Sequence, residues 1–368
     1  MSSRHRFFLL PFALLASVLQ CAQAAPQYVV IPLGNESTTQ LRPAAINNLG
    51  QVIGVMRHEQ GEELFLSSGG ALRSLGWMGT SIPIDINDAG TMLYGDKLHF
   101  ADGTTRALPL AAWAINNLGH ATGEVENRRP VGPVTYAAIY GGGDALTLTG
   151  LADRWNTGWA INDADVAVGA VHGWIVGEPA GSPSFRAARF EGGRTQLLES
   201  LGNGYGAAYD INNQGFAVGF TAGHAALWTP EGRLIDLGAM LEAQFGDAAA
   251  LGSAAYGINN AGEVVGRYGH EGGFLYSDGV MYDLRSLIAD PDNLFVDAEG
   301  YDMAGGYDIN DQHQIITRGI YGWGGLLSLA SPPAAQPVPE PASCSLFGAG
   351  LLAIGLLKRR RQSGRPTA

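Results

Sequence analysis

Arg154, Trp155, His172, Trp174 and Glu178 stand close together in two short segments, LADRWNTGW (151–159) and VHGWIVGEP (171–179). Arg128 and Arg129 follow an acid in ENRRP (126–130). Aromatic rings beside guanidinium and carboxylate groups suit stacking on sugar rings with polar contacts at the ring edge. Polysaccharide binding is one reading of this set; the other is that the tryptophans pin long loops onto the protein surface. His172 and Glu178 also offer an acid–base pair for a secreted lyase or hydrolase.

A second group is acidic. ADPDNLFVDAEGYD (289–302) carries Asp290, Asp292, Asp297, Glu299 and Asp302. Oxygen ligands at this density suit Ca²⁺, but the spacing fits no defined calcium loop, and a solvated acidic loop explains it as well. The recurring Asp-Ile-Asn-Asp/Asn is explained by turn formation. No Gly-x-Ser-x-Gly, His-Glu-x-x-His or phosphate-cradling loop occurs, so no catalytic residue is assigned.

The elements that must position these residues are repeats. An Ile-Asn-Asn/Asp-x-Gly pattern occurs seven times, with isoleucines at 46, 86, 115, 161, 211, 258 and 309. Each copy reads as a hairpin. Ile ends one strand facing inward, the Asn pair opens the turn, Gly supplies a positive φ, and a valine-rich run returns. Asp165 and His313 stand where the other five copies have Gly. The copy DINDAGTMLYG (85–95) holds one extra residue, which predicts a bulge there. Downstream of each hairpin comes an apolar run, and in six copies a Gly-rich turn and a fourth run follow. Four antiparallel strands repeated seven times predict an all-β, seven-bladed β-propeller over 25–329. No helix-period segment competes.

The seventh repeat ends one strand short, and QYVVIPLGN (27–35) resembles the missing strand, so the N-terminal strand is expected to close the last blade. Strand alternation then sends the b–c connections (124–135, 170–184) and the d–a connections (150–157, 239–254, 286–305) to one face. Long loops sharing a face are where binding residues usually sit.

The ends are processing segments. Residues 1–24 read as a secretory signal peptide: Arg4, His5 and Arg6, an apolar run from Phe7 to Val18, then Ala22-Gln23-Ala24. A Pro/Ala-rich linker (330–337) leads to Val338-Pro339-Glu340-Pro341, an apolar stretch from Ala342 to Leu357 and a basic cluster from Lys358 to Arg361. The tail can hold the chain in a membrane before processing. Both cysteines, Cys21 and Cys344, lie outside 25–337, leaving that part without a disulfide. Seven of the 22 basic residues and one of the 34 acids also lie outside it. Residues 25–337 thus hold 15 basic and 33 acidic residues, a net charge near −18, which disfavours nucleic acid as a partner.

The tail (338–368) resembles the PEP-CTERM sorting signal of bacteria that export proteins alongside exopolysaccharide. That resemblance implies recognition by exosortase, a membrane cysteine peptidase, then delivery to the cell surface or extracellular matrix. The repeats resemble the HAF family of bacterial extracellular repeats, with His224-Ala225-Ala226-Leu227-Trp228 as the counterpart of the naming segment. This second resemblance implies a structural or binding role and brings no catalytic residues.

Overall fold

A computed structural model of the chain describes residues 25–330 except 32, 34–39, 78–83, 96, 130–131, 144, 152–153, 174–184, 203, 247–248, 250–251, 271, 290–302 and 320–323. Each repeat forms one four-stranded antiparallel sheet, so the seven copies give seven blades. β1 (Tyr28–Ile31) precedes the first repeat. Blade 1 is β2 (Gln40–Ile46), β3 (Val52–His58), β4 (Gly61–Ser68) and β5 (Ala71–Trp77). Blade 2 is β6 (Ile84–Ile86), β7 (Met92–Tyr94), β8 (Lys97–His99) and β9 (Thr105–Ala107). Blade 3 is β10 (Ala111–Ile115), β11 (Ala121–Arg129), β12 (Gly132–Tyr140) and β13 (Leu146–Thr149). Blade 4 is β14 (Trp155–Ile161), β15 (Ala167–His172), β16 (Phe185–Glu191) and β17 (Arg194–Leu197). Blade 5 is β18 (Gly206–Ile211), β19 (Ala217–Thr221), β20 (His224–Trp228) and β21 (Leu234–Asp236). Blade 6 is β22 (Ser253–Ile258), β23 (Val264–Tyr268), β24 (Gly272–Ser277) and β25 (Val280–Asp283). Blade 7 begins with β26 (Met303–Ile309), β27 (Ile315–Gly319) and β28 (Gly324–Leu329).

β1 supplies the strand that blade 7 lacks. It pairs antiparallel with β28, Tyr28 opposite Leu329 and Ile31 opposite Leu326. Tyr28 is fully buried among Val265, Leu275, Ile309 and Leu327, so the first strand of the domain also fills the seam between blades 6 and 7. The innermost strand of every blade touches that of the next, all the way round. The core lies between blades, as faces such as Val218 with Val264 and Val168 with Ala208 show.

The hub is polar, and the asparagine pattern explains it. The first Asn of each turn accepts N–H groups of its own hairpin, as Asn47 Oδ1 does from Leu49 and Gln51. Its Nδ2 then donates to the backbone carbonyl of the same Asn in the next blade: 47 to 87, 87 to 116, 116 to 162, 162 to 212, 212 to 259, 259 to 310 and 310 back to 47. Each of these asparagines is 3–4% exposed. The second turn residue closes a parallel ring, its backbone N–H donating to Oδ1 of the second residue one blade on, from Asn48 to Asp88 and finally Asp311 to Asn48. All seven turns place the next special residue at positive φ, Asp165 and His313 (both φ 59°) included.

Three expectations are corrected. The bulge falls in the six blades other than blade 2, between the innermost strand and its neighbour, two residues before the Ile. A Cβ at Gly169 of β15 would overlap the Thr157 carbonyl that the bulge pushes inward. Blade 2 pairs Ile84, Asp85 and Ile86 with Tyr94, Leu93 and Met92 in unbroken register; with no bulge, Tyr94 fits where β15 needs glycine. Residues 124–135 are mostly a hairpin, with Val125 opposite Tyr136 and Asn127 opposite Val134; β-branched residues extend the ladder through what reads as a loop. Finally, the connection after β21 holds α1 (Leu237–Phe245), capped by Asp236 accepting from Ala239 N–H and packed through Leu237 and Leu241.

Two outcomes follow for stability, read by urea denaturation of the purified protein. Tyr28→Ala empties the closing seam and costs about 3–5 kcal/mol, whereas Tyr28→Phe, losing a hydroxyl with no partner among the described residues, shifts stability by less than about 1 kcal/mol. Asn162→Ala cuts the buried ring and costs about 2–3 kcal/mol, against about 1 kcal/mol or less for half-buried Asp163→Ala.

Candidate functional site

The bulge has a consequence for side chains. In a regular strand the residue two before the Ile shares its face and points into the core. The bulge breaks that alternation and leaves this residue half-buried on the inner wall. The position holds Trp113, Trp159, Tyr209, Tyr256 and Tyr307 in blades 3 to 7. Four of these rings stack blade to blade: Trp159 on Tyr209 at 5.6 Å, Tyr209 on Tyr256 at 5.5 Å, and Tyr256 on Tyr307 at 4.9 Å and 7°. Arg318 of β27 caps the series, its guanidinium carbon 4.8 Å from the Tyr307 centroid. Phe185, Tyr205 and Phe220 join it from blades 4 and 5. Trp113 stands apart, 40% exposed. Burial pushes the Tyr209 hydroxyl up to about 12 and raises that of Tyr256, so these two phenols stay neutral and offer O–H donors.

Immediately before the Ile stand Asp85, Asp210 and Asp308 in blades 2, 5 and 7. Each accepts from its own Ile N–H and from the Ile N–H of the next blade, Ile115, Ile258 and Ile46 respectively, at 2.7–3.1 Å. Burial raises all three pKa values, to about 7 for Asp85, against the opposing effect of the N–H donors. For Asp308 the charges of Asp210 and Asp85 add to the rise. Asp210 and Asp308 reach a polar vestibule of about 160 Å³ at the turn end of the axis, which Asp88, Asp163 and Asp311 also line. Among the described residues no three His, Cys, Asp or Glu side chains are placed to share a metal ion.

Blade 4 brings part of the sequence-derived set together. Trp155 is 51% exposed, pairs in register with His172, and borders a cavity of about 510 Å³ with Leu108, Glu124 and Thr135. The His172 ring meets Phe185 edge-on at 3.9 Å, which joins it to the aromatic series, and burial lowers its pKa. Arg154 precedes Trp155, its guanidinium near Gly173. Arg128 and Arg129 sit at the end of β11, with side chains outside the described residues, as are Trp174, Glu178 and the acids from Asp290 to Asp302. The inner-wall rings and Arg318 are absent from that set. An aromatic two before the Ile in five of seven copies was the available signal.

Residues 337–361 match the PEP-CTERM protein-sorting motif, which marks an exported bacterial protein sorted by exosortase. A search of curated proteins gives no match. Among solved structures the chain is similar to YCF48 bound to D1 peptide (11% identity over 84% of this chain and 100% of that one, TM-score 0.45). It is also similar to the β-propeller domain of the trilobed protease of Pyrococcus furiosus (10%, 81% and 99%, TM-score 0.48). A third is the acylaminoacyl peptidase of Pyrococcus horikoshii (10%, 80% of this chain, TM-score 0.47), of which the chain spans about half, 52%. Among the described residues no helix is long and apolar enough to cross a membrane; the apolar stretch 342–357 lies outside them.

The inner carboxylates set a pH dependence. An unfolded Asp ionises near pH 3.9. From about pH 4 through neutrality the unfolded chain therefore releases these protons before the folded one, and stability falls as pH rises. The melting temperature of the exported protein is expected to drop between pH 5 and pH 8. The triple variant Asp85→Asn, Asp210→Asn, Asp308→Asn should lose most of that slope; a slope unchanged in the variant assigns it elsewhere.

Proposed function

We propose that this exported, exosortase-sorted propeller binds extracellular polysaccharide through the aromatic series on its inner wall and carries no catalytic role. After processing at the PEP-CTERM tail it stays at the cell surface or in the matrix, holding or organising polymer there. Its repeats are read as HAF-type modules, whose part is to build the wall.

The observation that carries the reading is the half-buried run Trp159–Tyr209–Tyr256–Tyr307, whose last ring also packs against the core between blades 7 and 1. A sugar ring presents an apolar C–H face and a rim of hydroxyls. Aromatic edges with phenolic O–H groups complement both. The run crosses four blades, so its natural occupant is a chain of sugars rather than one. Trp155 and His172 extend the same surface toward the b–c connections, where export leaves the domain open to polymer.

Affinity electrophoresis of the exported protein in the exopolysaccharide of its own bacterium tests this. Trp159→Ala and Tyr256→Ala are each expected to weaken binding about three- to tenfold, the worth of one aromatic contact. Trp155→Ala at the rim should lose less. Unchanged retardation in both inner-wall variants, with melting curves showing them folded, would discard the proposal.

A further inference from the structure

The hairpins that form the axis side of the ring carry opposite charge at their two ends. At the turn end, the vestibule is lined by Asp88, Asp163, Asp210, Asp308 and Asp311. Toward the other end, Arg318 lies against Tyr307, and Arg267 of β23 lies beside Tyr256 and Tyr209. Strands that run from one end to the other hold this separation fixed.

Arg318 is an unusual cation for so acidic a protein. Its Nε donates to the Pro43 carbonyl at 2.6 Å and its plane covers Tyr307. Among the described residues no carboxylate lies within ion-pair distance of it or of Arg267. Arg42, the neighbouring guanidinium, is tied to Glu62. Burial lowers the pKa of Arg318, yet a guanidinium keeps its charge at physiological pH. A partly desolvated charge without a counter-ion is costly, and an arriving anion removes that cost. With Nε engaged, the two terminal NH₂ groups are the part of the fork that can meet an anion.

We propose that Arg318 and Arg267 bind anionic substituents, carboxylate or sulfate, of a polysaccharide whose sugar rings lie along Tyr307 and Tyr256. This rests on the polysaccharide reading above and narrows it to acidic polymers. Rejection of nucleic acid by the overall negative charge is compatible with it, because the cations are confined to one stretch of the wall.

The test compares polygalacturonate with its carboxyl-reduced, neutral form, and dextran sulfate with dextran, against the exported protein. The wild type is expected to bind at least one acidic polymer tenfold or more tighter than its neutral partner, and whichever pair shows the preference identifies the anion. Arg318→Met should abolish that preference, read as the ratio of acidic to neutral affinity within the same variant. Arg267→Gln, at an exposed position, should reduce the preference about threefold, and Arg318→Lys should give an intermediate value. Raising salt from 50 to 200 mM should weaken wild-type binding more than that of Arg318→Met. Equal affinity for acidic and neutral forms overturns the acidic selectivity alone. A preference retained in both Arg318→Met and Arg267→Gln overturns the assignment to these arginines. No binding to any of these polymers or to the native exopolysaccharide overturns the polysaccharide reading together with this one.

Discussion

Seven asparagine side chains, each donating to the backbone of the next blade and the last to the first, hold this propeller closed at its axis. No blade can satisfy its buried amide alone, since the acceptor belongs to its neighbour. A missing blade or a slipped register would leave a donor and a carbonyl buried without partners, at about 1–3 kcal/mol for each orphaned group. Hydrogen bonds in such a closed cycle also polarise one another in the same sense. The ring thus gives blade number and closure a polar check that apolar interblade faces cannot provide. The outer clasp of β1 on β28 acts at the opposite edge of blade 7. Together they stand in for the disulfides that residues 25–337 lack.

The hub also decides what the inner wall presents. Each Ile next to the ring is 4–7% exposed and fixed between blades. The bulge two residues earlier turns the preceding side chain out of the core. A strand glycine makes room for the displaced carbonyl, as Gly169 does for Thr157. Blade 2 has neither bulge nor glycine at these places, and blade 1 has Ala44 at the bulge. The aromatic series accordingly runs only through blades 4 to 7. Stability and the surface are thus written by adjacent residues of the same strand.

The hairpins, their count and the borrowed first strand were legible because they rest on local chemistry: an Asn pair, a positive-φ residue, and a seventh repeat missing its last run. The wall was not. Tyr209, Tyr256 and Tyr307 stand two residues before Ile211, Ile258 and Ile309, and simple alternation assigns them to the core. Only the bulge, a pairing decision between strands, reverses that assignment. Arg318 was hidden for a related reason, since its partners Tyr307 and Pro43 belong to another strand and another blade. Residues 124–135 failed in the other direction: they read as a long connection, while Val125 and Val134 continued the ladder. Trp155 and His172 were found because they stand beside the long connections, where sequence reading looks first.

The placement of the inner carboxylates follows from the ring being seven-membered. Each Asp before the Ile reaches forward to the Ile N–H of the next blade, which brings its Oδ2 against that blade's own preceding residue. That residue is Ala114 after Asp85, Gly257 after Asp210 and Ala45 after Asp308. A Cβ at Gly257 would also crowd the backbone of Asp308 on its other side. Two neighbouring aspartates would set like charges side by side in a poorly solvated hub, where Asp210 already raises the pKa of Asp85 and of Asp308. Three is the largest number that a circle of seven can hold with no two adjacent. Blades 2, 5 and 7 hold three, and blade 4, which could take none without a neighbouring clash, has Ala160.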